Sequence, residues 1–228
     1  MLRKLLKFVK KLFIALFIAQ FAYIIVLKWV NPPITITQIN SWMDGHGMNR
    51  NYVSLDKMSK HAKLAFIASE DQEFAKHNGF NIQEIKDAMD YNEKHKGKKI
   101  RGGSTISQQT AKNVFLWQGR SWFRKGLEVY FTFMIETFWS KERILEVYMN
   151  VSETGIGTFG IEAASQRYFQ KHSSGLSRNE AARIAVNLPN PKKYKVNPPS
   201  SYVSKRAKWV ERQMRNLEND PEIKAIVD

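Results

Sequence analysis

The run from Arg101 to Asn113, RGGSTISQQTAKN, passes through glycines, hydroxyls and amides to Lys112 and Asn113, with no histidine, cysteine or carboxylate. If a helix starts near Ser104, then Thr105, Gln108, Gln109 and Lys112 share one face. Solvated helix faces usually carry Glu and Lys; this one carries a hydroxyl and amides. Gly102 and Gly103 let a backbone approach a ligand at the helix N-terminus, where free N–H groups favour anions. A polyhydroxylated or phosphorylated ligand fits such a surface, and an ordinary solvated face is the competing reading. A catalyst must come from elsewhere in the chain.

The segment IASEDQEFAKHNGF, Ile67 to Phe80, places Glu70 and Asp71 at the end of an apolar run. A carboxylate against apolar neighbours holds its proton more tightly and can act as general base or acid. The plainer alternative is two surface carboxylates. Glu70, Phe74 and His77 stand at i, i+4 and i+7, so a helix continuing through them would align them. His77 has no second histidine at metal spacing and reads as a capping or hydrogen-bonding residue. WQGRSWFRKGLE, Trp117 to Glu128, adds Arg120, Arg124, Lys125 and a second carboxylate, Glu128. Arg124 and Glu128 suit a helical i, i+4 salt bridge. With Lys112, the same cations suit a pocket that neutralises a leaving diphosphate. Glu70 and Glu128, far apart in sequence, could then divide roles as in other sugar chemistry.

Two motif matches fail on context, and a third motif is absent. Gly155, Gly157 and Gly160 satisfy G-x-G-x-x-G but follow a helical segment instead of a strand. Ser54 to Lys57 is an S-x-x-K without a K-T-G, which argues against penicillin-type acylation. No D-x-D pair is present to hold a metal on a nucleotide sugar.

The elements that must position these residues are mostly helical. The apolar spacing of Leu64, Ile67 and Ala68 predicts a helix ending near Glu70-Asp71. Ser104 or Thr105 can cap a helix to about Phe115, and Ser140 can cap one that turns Ile144, Leu145, Val147 and Tyr148 inward. Phe123 to Trp139 is apolar almost all round, as in a buried or lipid-contacting helix. Ser177 to Glu180 is a capping box whose helix ends at Leu188-Pro189, and a Pro-rich loop precedes a last charged helix. Lys94 to Arg101 reads as a basic loop. Strand signals are weak.

The 228 residues allow one domain with appendages. The absence of cysteine excludes disulfides, zinc ribbons and thiol catalysis. Leu12 to Val30 is interrupted only by Gln20 and Lys28 and is long enough to span a bilayer. Arg3, Lys4, Lys7, Lys10 and Lys11 precede it, which predicts the N-terminus inside and the rest outside. No A-x-A cleavage site follows, so an uncleaved anchor is expected in place of a signal peptide. The net charge is +15, and the part beyond the anchor is basic in its own right. An anionic partner is therefore expected: nucleic acid, anionic lipid or a phosphorylated substrate. The expected organisation is a tail and anchor over 1–30, a connector over 31–55 and a mainly α domain over 56–228.

Four blocks together resemble the peptidoglycan glycosyltransferases of glycosyltransferase family 51, in their monofunctional form. They are EDQEFAKHNG at Glu70–Gly79, GGSTISQQTAKN at Gly102–Asn113, RKGLE at Arg124–Glu128 and KERILEVYMN at Lys141–Asn150. A weaker fifth is RIAVNLPNP at Arg183–Pro191. The resemblance runs from about Asp56 to Pro199. It implies a lysozyme-like helical fold with a groove beside the membrane. It also implies a donor glycan on undecaprenyl diphosphate and lipid II as acceptor. Glu70 would deprotonate the acceptor GlcNAc 4-hydroxyl, which attacks the donor MurNAc anomeric carbon with inversion. Lys112 and Arg120 would hold the donor diphosphate. Glu128 would be a second acid, orienting substrate or a divalent cation, Mg²⁺ or Mn²⁺, whose ligands are not specified. Asp71, Phe74, Gly103, Ser104, Thr105, Gln108, Gln109, Asn113, Arg124 and Lys125 would contact substrate. Implied partners are lipid-linked glycans, the cytoplasmic (inner) membrane and other cell-wall synthases, and not nucleic acid. A glycan-cleaving enzyme of similar fold would not need the cations around a diphosphate. A non-catalytic anionic-polymer binder would not need the Gly-Gly-Ser-Thr helix start or the paired acids.

Overall fold

The computed structural model describes residues 1–95, 102–119 and 121–228. Among them eleven α-helices and one small three-stranded sheet form the chain, as the sequence predicts for a mainly α protein. Helix α1 (Leu2–Val26) begins in the basic tail, so the tail and the apolar run are one helix, and it ends four residues before Val30. By length and composition it can cross a membrane.

The core is built around α3 (Lys60–Glu70). Ala62 through Ala68 are all buried, so α3 is enclosed on every side instead of showing one apolar stripe. Its alanines admit close neighbours: α9 (Arg178–Asn187), with Ala181, Ala182 and Ala185 buried, and α10 (Ser201–Leu217) pack against it. A short last helix, α11 (Pro221–Val227), which the sequence reading lacked, closes over α3 with Ile223, Ile226 and Val227.

The second packing unit is α5 (Ile106–Phe115) between α6 (Trp122–Phe138) and α7 (Lys141–Val151). Ser121, Ser140 and Ser177 each cap the helix they precede, because their hydroxyls accept the orphan N–H groups of the first turn. Helix α6 packs with an unusual polarity. Its buried face includes Arg124, Glu128 and Thr132, whereas Trp122, Phe123, Val129 and Phe133 are exposed. Helix α1 lies against α6, with Phe21 edge-on to Phe138 and the Gln20 amide donating to the Tyr130 hydroxyl at 2.7 Å.

The segment between anchor and core is ordered. It forms α2 (Ile36–Met43), opened by a Thr35/Gln38 capping box, and strand β1 (Asn49–Arg50). β1 pairs in parallel with β3 (Thr158–Phe159), which pairs antiparallel with β2 (Glu153–Gly155). The glycine trio serves this sheet and the start of α8 (Ile161–Phe169). Gly157 has φ +63°, and a Cβ there would lie 2.0 Å from the His46 carbonyl oxygen; Gly160, with φ +84°, is the N-cap of α8. The S-x-x-K is a single 3₁₀ turn, Leu55–Lys57. Both matches are structural. Helix α4 (Ile82–Lys94) completes the set.

Candidate active site

Glu70 is the last residue of α3 and stands at the edge of a cavity of about 430 Å³, shared with Ser69, Gln72, Ser104, Arg206 and Trp209. Helix α3 stops there because Asp71 adopts φ −165°, so the chain turns away and no helix continues to Phe74 and His77. The rest of that block is scaffold. Asp71 is buried; it accepts the Ile106 N–H at 2.9 Å and a bond from His77 Nε2 at 3.0 Å. Phe74 is fully buried, with Lys141 over its ring. His77 Nδ1 accepts the Gly79 N–H at 3.1 Å, the hydrogen-bonding role expected of it. Lys141 donates to the His77 carbonyl at 2.6 Å and to Glu136 at 2.8 Å, pinning the turn to α6 and α7. Phe74 therefore reaches a ligand only through what it holds in place, while Asp71, spent on these bonds, also forms part of the wall of the Glu70 cavity.

Glu70 is bonded on both oxygens. Ser69 Oγ donates to Oε1 at 3.2 Å, and Gln109 Nε2 donates to Oε2 at 3.1 Å. Burial raises its pKa, opposed by those two bonds and by the positive charge of Arg206. A base of this kind keeps its proton to higher pH than an exposed glutamate and takes one more readily.

The Gly-Gly-Ser-Thr start forms helix α5 as expected, with Thr105 as N-cap. Thr105 and Gln108 are spent on that start. Thr105 Oγ accepts the Gln108 N–H and donates to the Gly79 carbonyl at 2.7 Å, while Gln108 Oε1 accepts the Thr105 N–H at 3.1 Å. Both are buried, which corrects their place on a ligand-facing surface. Gly103 packs against α4, where a Cβ would lie 3.1 Å from the Glu84 carbonyl oxygen. Ser104 is exposed and lines the cavity of Glu70. One turn further along, Gln109, Lys112 and Asn113 line a second cavity of about 400 Å³. Gln109 thus stands between the two cavities, bonded to Glu70 on one side.

Lys112 forms no ion pair among the described residues, and burial lowers its pKa, countered first by the charge of Glu128. The charges of Arg124, Lys125 and Glu70 act on it as well. Glu128 is buried; Arg124 Nη1 donates to its Oε2 at 2.7 Å and Lys125 pairs with its Oε1. The helical salt bridge exists, and it consumes both carboxylate oxygens. Among the described residues no group of three or more acidic, histidine or cysteine side chains is arranged to hold a metal. Arg120 and the basic loop from 96 to 101 lie outside the described residues.

Several lining residues escaped the sequence reading. Thr37, Asn40 and Asp44 of the α2 segment line the Lys112 cavity, and Gln118 bridges α2 to α5 by donating to Thr37 at 2.8 Å and Asn113 at 3.4 Å. Glu153 and Lys192 face the same space. Trp209 lies under the Arg206 guanidinium at 3.6 Å beside Glu70. The T-x-x-Q of Thr35 to Gln38, a capping-box spacing, was the available signal for α2.

A family model described as Transglycosylase matches residues 36–215, which includes α2. The chain is 45% identical to a biosynthetic peptidoglycan transglycosylase of Pseudomonas syringae pv. syringae over 99% of this chain and 98% of that one. It is 47% identical to one of Pseudomonas entomophila over 95% and 94%, and 52% identical to one of Escherichia coli (strain ATCC 8739) over 81% and 77%.

Proposed function

The chain belongs to the transglycosylase family and is a peptidoglycan transglycosylase, and from that premise we propose that it polymerises glycan strands from lipid II. A growing glycan on undecaprenyl diphosphate is the donor, and the GlcNAc 4-hydroxyl of lipid II is the nucleophile. Glu70 accepts the hydroxyl proton as the oxygen bonds to the MurNAc anomeric carbon. The bond from that carbon to the diphosphate breaks on the opposite face, which gives inversion. Undecaprenyl diphosphate leaves with the electron pair, and Lys112, with Arg120, neutralises it.

The observation that carries this reading is the position of Gln109. It is bonded to Glu70 at the edge of one cavity, and it lines the other cavity together with Lys112. A base and a largely buried cation thus flank one point, as an in-line displacement of an anionic leaving group requires. Arg124 and Lys125 act chiefly by balancing Glu128, so Glu128 is assigned a positioning role. A divalent cation, Mg²⁺ or Mn²⁺, remains part of this reading without assigned ligands, and no step is routed through it.

We assign α1 as an anchor in the cytoplasmic (inner) membrane, N-terminus inside, with the apolar outer face of α6 at the bilayer surface. Trp122, 92% exposed, and its apolar neighbours are unsuited to water. Reporter fusions at the C-terminus read the topology, and a cytoplasmic signal contradicts it. This chain carries no K-T-G, so no transpeptidase activity is assigned, and covalent labelling by a fluorescent penicillin would overturn that.

The test of roles compares lipid II polymerisation with binding of undecaprenyl diphosphate. Glu70→Gln lowers turnover roughly 10²- to 10⁴-fold and keeps product affinity. Lys112→Ala lowers both. Normal polymerisation by Glu70→Gln refutes the base, and unchanged product affinity in Lys112→Ala refutes the clamp.

A further inference from the structure

We propose that Tyr148, on α7, is a positioning residue of this site: its phenol fixes the Gln109 amide in the one orientation that donates to Glu70. The inference rests on the reading of Glu70 as the base. Tyr148 is given no substrate contact above, although it shares the wall of the Lys112 cavity.

The geometry is a relay of three side chains from three helices. The Tyr148 hydroxyl donates to Gln109 Oε1 at 3.0 Å. The other end of that amide, Nε2, donates to Glu70 Oε2 at 3.1 Å and to the Ser104 carbonyl at 3.4 Å. An amide has one accepting and one donating end. A phenol that gives its only proton to the oxygen leaves the NH₂ facing the carboxylate. The flipped amide would set its oxygen against the Glu70 oxygens and leave the phenol proton without that acceptor.

Tyr148 is held rigidly for this task. It is 1% exposed, and beside Gln109 it forms part of the wall of the Lys112 cavity. Its ring is held edge-on to Phe66 of α3, the helix that ends in Glu70, with centroids 6.0 Å apart. Burial pushes its pKa well above 10, so the hydroxyl keeps its proton at any working pH and remains a donor.

The consequence is read in pH dependence. The charged groups acting on Glu70 are Asp71 beside it, Arg206 of α10 and Lys112 of α5, with Glu84 of α4 across the cavity. None of these changes in Tyr148→Phe. What changes is the hold on the Gln109 donor, one of the two bonds that oppose the effect of burial. The carboxylate then keeps its proton to higher pH.

The experiment is the initial rate of lipid II polymerisation by full-length protein in detergent, measured across pH for the parent, Tyr148→Phe, Gln109→Ala and the double variant. The expected result for Tyr148→Phe is an acidic limb displaced to higher pH. Its rate is about tenfold below the parent on the acid side and within about threefold on the alkaline plateau. The double variant should coincide with Gln109→Ala, because Tyr148 acts only through that amide. An equal loss at every pH, or a double variant displaced further than Gln109→Ala, overturns the proposal. If Tyr148→Phe does not fold, 3-fluorotyrosine at position 148 decides. It is nearly isosteric and a stronger donor, so the limb should move to lower pH, and an unmoved limb overturns the proposal. Glu70→Gln separates the two readings. If that variant polymerises normally, the base assignment fails; if it is dead while the Tyr148 limb stays in place, only the relay fails.

Discussion

Arg124 and Glu128 are 2.7 Å apart on successive turns of α6, both buried, with Lys125 on the remaining carboxylate oxygen. Taking two charges out of water is costly unless they stay paired. Glu128→Ala should therefore strand Arg124 and destabilise the protein by about 3 kcal/mol, the usual scale for breaking one side of a buried pair. Replacing Arg124 and Glu128 together, by Met and Leu, should cost much less. Urea denaturation of the three proteins checks this. Equal losses in the single and double variants would show that the pair is not a unit.

That ion pair also marks where the sequence stops being legible. Many of the helices were readable because caps and apolar periodicity are local: Thr105, Ser140 and Ser177 each announce a start. The i, i+4 spacing of Arg124 and Glu128 was visible too. What spacing does not encode is how a polar group spends its bonds. Thr105 and Gln108 share a helix face with Lys112, yet both are used up in the capping box, while Gln109 and Lys112 line the cavity. The turn after Glu70 breaks the alignment with Phe74 and His77 because Asp71 leaves the helix to hold Ile106, thirty-five residues away. Contacts across such distances, like those that bring Asn40, Arg206 and Trp209 to the site, depend on tertiary packing that one sequence does not reveal.

Thr105 separates a structural hydroxyl from a ligand-binding one. Thr105→Ser keeps the oxygen that accepts the Gln108 N–H and donates to Gly79, and it should leave stability and activity near the parent. Thr105→Val keeps the shape and loses both bonds, at about 1–2 kcal/mol for a helix cap. Its activity per folded molecule should hold at temperatures well below its melting point. Thermal melts beside polymerisation rates check this. A Thr105→Val protein that is stable yet has a raised KM for lipid II would return Thr105 to the ligand-binding surface.

Glu70 predicts a trade between stability and activity. Burial raises its folded-state pKa above its unfolded value, so the folded protein binds more protons than the unfolded chain between the two. Stability therefore falls as pH rises through that window and stays lower above it. Glu70→Gln does not titrate. It should match the parent below the unfolded value and melt higher by about 2–4 °C above the window. Melting curves at acidic and neutral pH decide. A variant less stable than the parent at neutral pH would mean that the carboxylate's bonds outweigh its burial.

Arg143 caps the membrane helix from outside its own chain segment. The last carbonyls of α1 have no helical partners, and the negative end of the helix dipole favours a cation there. Arg143 of α7 supplies one: Nε and Nη2 donate to the Leu27 carbonyl at 3.0 and 2.9 Å, Nη2 to Val30 at 2.7 Å, and Nη1 to Asn31 at 2.9 Å. The same guanidinium pairs with Glu146, which accepts the Leu55 N–H at 3.0 Å. Anchor, α7 and the start of the core therefore meet at one side chain, five residues before Tyr148 on the same helix. Arg143→Ala removes this cap while Trp139 still donates to the Ile24 carbonyl. The expected outcome is a folded domain whose anchor junction opens, so that trypsin cleaves after Lys28 at least about tenfold faster than in the parent, as local opening allows. Arg143→Lys should recover only part of the protection, since an ammonium cannot bridge three carbonyl and amide oxygens in one plane. Timed digestion in detergent, with the cut identified by mass, measures this. Cleavage after Lys28 at the parent rate in Arg143→Ala would show that the apolar contacts of α1 with α6 hold the junction unaided.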